Sequence, residues 1–385
     1  MKSLLIVASV LALVACLPTS NNDPVGPVSL AVAAASPDYT TSDVILVNPD
    51  PAGDEVIEQR IHTTTPSDIG IAVSLGQLYR LERSNSDSVS KIGINAGVVS
   101  VDWQRSVLGD DASANPYDLL ALSTSLAYVA RFDSNDLWVI NPSASIGEDV
   151  LIEKIDLSAF ANAESGNPRM ADLEWVDGKL FVLLTGLEDN WRAAANSKVV
   201  VIDTSNNSLV DTNTVIAGVQ AIELPVRNAK EFALHNGVLY VAATGDAYNS
   251  DTSLIYTGGI ATLNVTSYAT ALLIDDGDLS AAPYGNISGV TVSASNDIYF
   301  SGSLSWGNDK VFVQRAGTST ISEIVLGANN YNIGDLIATD DALYVGVHAQ
   351  TDGSENAGLK VINLDDGAVN RLIELTYNPT QILAL

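Results

Sequence analysis

The chain has 385 residues and carries 46 Asp and Glu residues against 18 Lys and Arg residues, which gives a formal net charge of −28. A surface this acidic repels nucleic acid and anionic lipid and attracts divalent cations and basic partners, so we exclude nucleic acid as a partner. Solubility in a salty environment explains the charge equally well.

The first residues predict a cleaved export signal. Lys2 precedes an apolar run over residues 4–14, which is too short to cross a bilayer as a helix. Residues 13–16, Leu-Val-Ala-Cys, match the bacterial lipobox. Because Cys16 is the only cysteine of the chain, we expect it to carry lipid and to anchor the protein to a membrane. The alternative is a buried or reactive thiol.

These features resemble those of bacterial lipoproteins, and the resemblance implies a location. Leu17, rather than Asp, follows the cysteine, which in Gram-negative relatives favours the outer membrane. The stretch up to residue 28 is rich in Pro, Asn, Ser and Asp, which is typical of a flexible tether. We therefore divide the chain into a signal peptide (1–15), a lipidated tether (16–28) and a folded domain (29–385), whose periplasmic or extracellular side stays open.

A short strand with an aromatic residue recurs along the folded domain at intervals of roughly 50 residues. Its copies are Leu78-Tyr79, Ala127-Tyr128-Val129, Leu180-Phe181-Val182, Leu239-Tyr240-Val241, Ile298-Tyr299-Phe300 and Leu343-Tyr344-Val345. A degenerate copy at residues 30–33 precedes them. Each copy leads to further runs of Val, Ile and Thr between Gly, Asn, Asp and Ser, which is the composition of strands and hairpins. Four strands in a repeat of this length predict a propeller blade.

A second repeated segment precedes the aromatic strands and predicts how the ring closes. It begins at Pro66, Pro116, Met170, Ala229, Asn286, Ile333 and Pro379. The last copy lies in the C-terminal octet 378–385, whereas the copy at Leu30 has no such strand before it. We therefore predict an all-β fold, a seven-bladed β-propeller with four-stranded antiparallel blades, in which the C-terminal strand pairs with the N-terminal strands. This closure covers strand edges that would otherwise favour aggregation.

The repeats resemble the YVTN-type propeller family, which includes YncE-like periplasmic proteins. The resemblance rests on Asn167-Pro168, the Asp-Gly turn at 177–178, the Val-Ile-Asp-Thr run at 201–204 and Gly218, which follow that family's order. It implies a propeller architecture and a binding scaffold without a shared catalytic set. The chain also resembles the propeller lipoprotein of the outer-membrane β-barrel assembly machinery, which implies an assembly or surface-complex scaffold as an alternative.

Polar residues occupy equivalent positions at the start of the predicted inner strands. They are Asp68, Asp118, Asp172, Glu231, Ser288, Asp335 and Gln381. Carboxylates that face a narrow channel raise one another's pKa or recruit a cation, and oxygen ligands alone suit Ca²⁺ or Mg²⁺. The five carboxylates are therefore candidate metal ligands, with Ca²⁺ as the candidate cofactor. Two alternatives stay open: each carboxylate caps backbone N–H groups of the adjoining loop, blade by blade and without a shared ion, or the set binds a basic ligand or partner segment.

Long loops follow the second strands of blades four to seven, counted from the N-terminal copy, over residues 185–197, 244–257, 303–309 and 348–358. Long loops on a rigid scaffold are where binding residues concentrate. Their candidate binding residues are Glu188, Trp191, Asp246, Tyr248, Trp306 and His348. Aromatic residues beside carboxylates suit sugars or a peptide with a basic residue. The two tryptophans could equally fill gaps between blades.

Few patterns in the sequence indicate catalysis. His62, His235 and His348 share no strand register, and there is no Gly-x-Ser-x-Gly elbow or phosphate-binding glycine loop. Propeller lyases and lactonases use channel carboxylates and one histidine, so Asp172 or Glu231 with His348 and a divalent cation is the enzymatic alternative. We predict a membrane-anchored envelope lipoprotein, a non-catalytic scaffold that binds a protein, glycan or cation through an acidic channel face.

Overall fold

The computed structural model describes residues 30–49, 59–60, 66–83, 85–95, 98–145, 147–247 and 255–385. The predicted signal peptide, Cys16, the tether, His62 and Tyr248 lie outside these residues. Within the described ranges, no helix is long and apolar enough to cross a membrane.

The described residues form seven antiparallel sheets, which are the blades of the propeller. Blade 1 contains β1 (Leu30–Ala35), β2 (Ser42–Val47) and β3 (Gln59–Arg60), together with the C-terminal strand β29 (Asn378–Ala384). Blade 2 contains β4 (Ile69–Ser74), β5 (Gln77–Glu82), β6 (Ser88–Asn95) and β7 (Val98–Ser106). Blade 3 contains β8 (Pro116–Ser123), β9 (Leu126–Arg131), β10 (Asp136–Ile140) and β11 (Leu151–Asp156), and a 3-10 turn (Ser158–Phe160) follows it.

Blade 4 contains β12 (Met170–Val176), β13 (Lys179–Leu184), β14 (Lys198–Asp203) and β15 (Ser208–Leu209), and the short β16 (Ile222–Glu223) also pairs with β14. Blade 5 contains β17 (Ala229–His235), β18 (Val238–Ala243), β19 (Gly259–Asn264) and β20 (Thr270–Ile274). Blade 6 contains β21 (Asn286–Val292), β22 (Ile298–Ser303), β23 (Asp309–Gln314) and β24 (Ile321–Ile324). Blade 7 contains β25 (Ile333–Ala338), β26 (Leu343–Val347), β27 (Gly358–Ile362) and β28 (Val369–Glu374).

The predicted closure of the ring is confirmed. Strand β29 pairs antiparallel with β1, in a register that places Leu30 opposite Ala384 and Val32 opposite Ile382. Strand β29 also contacts β25 and β4, so the inner strands of all seven blades follow one another in a closed circle. Both chain ends of the folded domain therefore share one sheet, and β1 is paired along both of its edges.

The repeated aromatic strands are buried because each blade packs between two neighbours. Tyr128 and Phe181, on the second strands of blades 3 and 4, are both 0% exposed. The outer strands are more exposed to solvent. In β20 the three central residues are exposed and only the last, Ile274, is buried. Burial of both faces of the second strands explains their continuous apolar sequences, and partial exposure explains the mixed composition of the outer strands.

Candidate functional site

Six of the seven inner strands carry a β-bulge near their start, which determines which of their residues occupy equivalent positions around the channel. In β12 the pairing with β13 shifts between Met170 and Asp172, so Asp172 lies opposite Leu183. Comparable shifts occur in β8, β17, β21, β25 and β29 but not in β4. A bulge adds one unpaired residue and turns the side chain that follows it. The equivalent positions can therefore be identified from strand pairing rather than from sequence alignment.

Strand pairing places five of the seven predicted positions where the alignment put them and moves the other two. The confirmed positions are Asp118, Asp172, Glu231, Asp335 and Gln381. In blade 2 the equivalent residue is Gly70, which lies opposite Leu81 in a strand without a bulge. In blade 6 it is Gly289, because Ser288 is itself the bulged residue. The alignment of Asp68 and Ser288 with the carboxylates was therefore wrong.

The confirmed side chains each join one blade to the next. Asp118 accepts a hydrogen bond from the Leu173 N–H, Asp172 from Phe232, Glu231 from Val290, Asp335 from Ile382 and Gln381 from Ile71. The donor is always the residue directly after the equivalent position of the following blade. These side chains cap backbone groups, as one of the sequence-based alternatives proposed, although the capped group belongs to the neighbouring blade.

The two blades with glycine at this position use a hydroxyl further along the inner strand. The Ser74 Oγ of blade 2 accepts from the Ala121 N–H at 2.9 Å, and the Thr291 Oγ1 of blade 6 accepts from the Ala338 N–H at 3.1 Å. A side chain at residue 289 would place its Cβ only 2.8 Å from a Leu336 methyl group, so the leucine would have to move to admit one. Every one of the seven blade junctions thus carries a side chain to backbone hydrogen bond.

Partial burial in the channel makes these carboxyl groups harder to ionise than a carboxyl group in water. Desolvation raises the pKa of Asp118, Asp172, Glu231 and Asp335, and the negative charge of Asp118 raises that of Asp172 further. Lys230, the bulged residue of β17, lies near Glu231, and desolvation lowers its pKa although its side chain keeps contact with solvent. Among the described residues, no group of three or more His, Cys, Asp or Glu side chains is arranged to hold a metal ion. The calcium site stays a prediction, and no cluster of possible ligands among the described residues supports it.

The predicted loop residues have different environments. Glu188 is buried and accepts hydrogen bonds from the backbone N–H groups of residues 164–165. Asp246 is also buried; it accepts from the Ala193 N–H at 3.0 Å and pairs with Arg192 at 3.1 Å. These two carboxylates hold the 185–197 loop in place from opposite sides.

Neither tryptophan of the predicted binding loops fills a gap between blades. The side chain of Trp191 is 58% exposed and that of Trp306 is 94% exposed, so the structural alternative for both was wrong. The Nε2 atom of His348 lies 3.0 Å from the carbonyl oxygen of Pro379, and desolvation lowers the pKa of this histidine. His348 therefore has a backbone partner rather than the Asp172 or Glu231 carboxylate that the enzymatic alternative requires.

A cleft between blades 2, 3 and 4, which we call the loop-face cleft, has a volume of about 350 Å³. It is lined by Asp68, Asn115, Tyr117, Phe132, Asp133, Arg169, Leu187, Glu188, Asp189 and Trp191. Of the predicted site residues it contains Asp68, Glu188 and Trp191. The sequence analysis did not identify the arginine and the aromatic residues that form its centre.

Four side chains stack in layers beside the loop-face cleft. The rings of Tyr117 and Phe132 are parallel, with centroids 4.3 Å apart. The Arg83 guanidinium covers Tyr117 at 4.3 Å, and the Arg169 guanidinium covers Phe132 at 5.1 Å. Cation–π contacts of this kind stabilise the orientation of both partners. The stack joins residues of blades 2, 3 and 4 and fixes the wall of the cleft.

Arg169 adopts a backbone conformation that its residue type disfavours. Its φ is 58°, and the residues at the same place in the neighbouring blades are Asn115 (φ 51°) and Asn228 (φ 53°). Asparagine tolerates the left-handed region through its short polar side chain, whereas a long side chain there is uncommon. Arginine at a position where neighbouring repeats have asparagine is the one signal in the sequence that could have identified this site.

Ion pairs in the cleft are arranged around the two arginines. The Arg169 guanidinium pairs with Asp133 and Asp189, and Arg83 pairs with Asp68 at 3.6 Å. Asp133 also accepts from the Asn115 side chain at 3.1 Å. Hydrogen-bond acceptors and donors therefore alternate along a row formed by Asp189, Arg169, Asp133 and Asn115.

Comparisons with known proteins support the fold and no more than the fold. No protein-family model and no curated protein matches the sequence. A Lactobacillus plantarum protein has a similar structure, with 13% identity, a TM-score of 0.60 and coverage of 93% of this chain and 99% of that one. A Bacteroides uniformis protein provisionally described as a 6-phosphogluconolactonase has 12% identity, a TM-score of 0.57 and the same coverage.

A lyase shows the same likeness over less of the chain. Virginiamycin B lyase from Staphylococcus aureus has 12% identity, a TM-score of 0.53 and coverage of 82% of this chain and 91% of that one. Identities this low establish a shared propeller architecture, while function resides in sites that differ between proteins of one fold. The chain has a seven-bladed β-propeller fold.

Proposed function

We propose that the protein is a non-catalytic binding scaffold of the cell envelope and that its ligand occupies the loop-face cleft. The observation that carries this proposal is the cleft itself, a concave site of about 350 Å³ with Trp191 exposed at its rim. Concave sites with aromatic walls and a few convergent polar groups are where proteins of this size bind ligands. The channel carboxylates support the proposal indirectly, because their backbone hydrogen bonds already use them to join the blades.

Hydrogen bonds fix the backbone of the turn that forms the rim of the cleft. Trp191 lies in a tight turn in which the Trp191 N–H donates to the Glu188 carbonyl at 3.0 Å and the Glu188 N–H donates to the Arg192 carbonyl at 2.9 Å. Asp246 holds the far side of this turn through Ala193. A binding surface that is ordered before the ligand arrives loses less conformational entropy on binding.

The test uses two exposed tryptophans on equivalent loops of the same propeller. Trp191→Ala removes the aromatic residue at the rim, whereas Trp306→Ala removes one that lies outside the residues that line the cleft. We expect the wild-type and Trp306→Ala proteins to retain the same ligand from solubilised envelopes, and Trp191→Ala to retain at least about tenfold less. Mass spectrometry of the retained material is the measurement.

Equal retention by Trp191→Ala and wild type would contradict the proposed cleft. Selective recovery of outer-membrane assembly proteins would favour the assembly-scaffold alternative within the same general function. Turnover of a lactone or uronide that is lost in Asp172→Asn or Glu231→Gln would contradict the non-catalytic part of the proposal.

The anchor is a separate part of the proposal. We propose that Cys16 carries lipid and holds the domain at the outer membrane, on the strength of the lipobox at residues 13–16 and Leu17 after it. In a Gram-negative host, the wild-type chain should fractionate with outer membranes and need detergent for release, whereas Cys16→Ser should be released without detergent. Membrane retention of Cys16→Ser, or release of the wild type by buffer alone, would show that the cysteine is not the anchor.

A further inference from the structure

We propose that the ligand of the loop-face cleft is a neutral oligosaccharide, an inference that rests on the proposed function and assigns its ligand class. The first reason is that the arginines at the cleft already have carboxylate partners. Arg169 pairs with Asp133 and Asp189, and Arg83 pairs with Asp68. An anionic ligand would have to displace one of these carboxylates, and the desolvation of the displaced charge offsets much of what the new pair contributes.

Hydroxyl groups can bind without breaking these pairs. The side chains of Asp189 and Asp68 are 73% and 52% exposed, so each keeps acceptor positions that face solvent. Arg169 is only 7% exposed, and within the described residues its Nε is buried without a hydrogen-bond partner. Adjacent hydroxyls of a sugar ring both donate and accept, which matches a row of alternating carboxylate and guanidinium groups.

Trp191 supplies an apolar surface at the edge of this polar row. Its φ of 63° lies in the left-handed region, which is uncommon for a bulky residue, and its side chain is 58% exposed. A large exposed aromatic residue in a constrained backbone is a costly arrangement when no partner covers it. The apolar face of a pyranose ring would bury the indole and leave the ring hydroxyls directed toward Asp189.

The size of the cleft limits the ligand to a short segment. A volume of about 350 Å³ is near the lower end of small-molecule sites, so the cleft suits one or two sugar rings of a longer chain. A basic peptide is the competing ligand, since the protein as a whole is strongly acidic. It is the weaker candidate because Asp68, Asp133 and Asp189 already have an arginine partner, while Glu188 is buried and bound by backbone N–H groups.

Isothermal titration of the purified full-length protein distinguishes these ligands. The probes are chitotetraose, cellotetraose, maltotetraose and mannotetraose on one side and an octapeptide of Lys and Arg on the other, at about 0.05 and 0.5 M NaCl. We expect at least one tetrasaccharide to bind with an affinity that changes less than about twofold between the two salt concentrations, because no ion pair forms.

Four variants locate the site. Trp191→Ala and Arg169→Asn should weaken sugar binding at least about tenfold, while Trp191→Phe retains most of it and Trp306→Ala all of it. Arg169→Asn gives the position the residue that blades 3 and 5 carry there, so the domain should stay folded, as its melting transition would show.

The outcomes separate this inference from the proposed function. Salt-sensitive binding of the basic peptide without sugar binding would overturn the ligand class and leave the cleft as a binding site. Failure of all four sugars, with envelope retention that still depends on Trp191, would do the same. A sugar affinity that is unchanged by both Trp191→Ala and Arg169→Asn would overturn the assignment to the cleft.

Discussion

Deletion of residues 378–385 should abolish cooperative folding of the domain. The deletion removes β29, which pairs with β1 and also contacts β25 and β4. It exposes the edge of β1, whose residues Leu30–Ala34 are 0% exposed in the closed ring, and removes the buried Ile382. A newly exposed, apolar strand edge favours association between chains. We expect insoluble protein, or a soluble form without a sharp melting transition.

Gln381→Ala is the matched control for this truncation. It removes the hydrogen bond of 2.8 Å from the Ile71 N–H to the Gln381 side chain but keeps the backbone pairing of β29. A single hydrogen bond of this kind contributes about 1 kcal/mol, so the free energy of unfolding should fall by that amount with cooperativity retained. A truncated protein with an unchanged melting temperature and a sharp transition would contradict the closure of the ring as the source of stability.

Acidification from pH 8 to pH 5 should stabilise the domain. Burial raises the pKa of Asp118, Asp172, Glu231 and Asp335 above that of an unfolded carboxyl group. Between the unfolded and folded pKa values the folded state binds more protons, so stability falls as pH rises through that window. We expect the melting temperature at pH 5 to exceed that at pH 8 by at least about 3 °C, measured by calorimetry.

Other groups limit this stabilisation as the pH falls. His348 has a lowered pKa, so it opposes the stabilisation as pH falls below its unfolded value. Ion-paired carboxyl groups such as Asp297 and Glu355 also have lowered pKa values, and their contribution is lost in more strongly acidic solution. The stability maximum should therefore lie near pH 5 rather than at the acid extreme.

Asp172→Asn tests which groups cause the pH dependence. The amide is neutral at every pH, so one of the groups with a raised pKa is lost and the difference in melting temperature between pH 5 and pH 8 should become smaller. Asp341→Asn, on an exposed turn, removes one carboxylate elsewhere and should leave that difference unchanged. A wild-type melting temperature that is constant or rises from pH 5 to pH 8 would show that ionisation of the channel carboxyl groups does not destabilise the folded state.

The architecture could be predicted from the sequence because each blade is a local unit. Four short β runs follow one another within each repeat, and their composition and turns identify them without knowledge of the other blades. The closing strand could be predicted for the same reason, since residues 378–385 repeat the pattern of 115–122 and the copy at Leu30 lacks it. The paired register of β29 and β1 confirms this prediction.

The channel positions were only partly predictable. Asp118, Asp172, Glu231 and Asp335 were correctly aligned, but strand pairing moves the equivalent position of blade 2 from Asp68 to Gly70 and that of blade 6 from Ser288 to Gly289. Which residue of a strand is bulged or lies opposite a given partner is set by the hydrogen-bonded pairing, and the composition of the strand does not show it. The partner of each carboxylate, a backbone N–H of the next blade, also depends on how neighbouring blades pack.

The sequence by itself determined the number of blades, the closure of the ring and the acidic character of the surface, because each follows from local patterns or from composition. The tertiary structure decided what the side chains do. It assigned the channel carboxylates to the blade junctions, and it brought together Arg169 and Trp191 of blade 4 with Tyr117 of blade 3. The physical reason is that contacts between blades depend on the relative positions of whole sheets, and those positions are set by packing around the ring rather than by any one repeat.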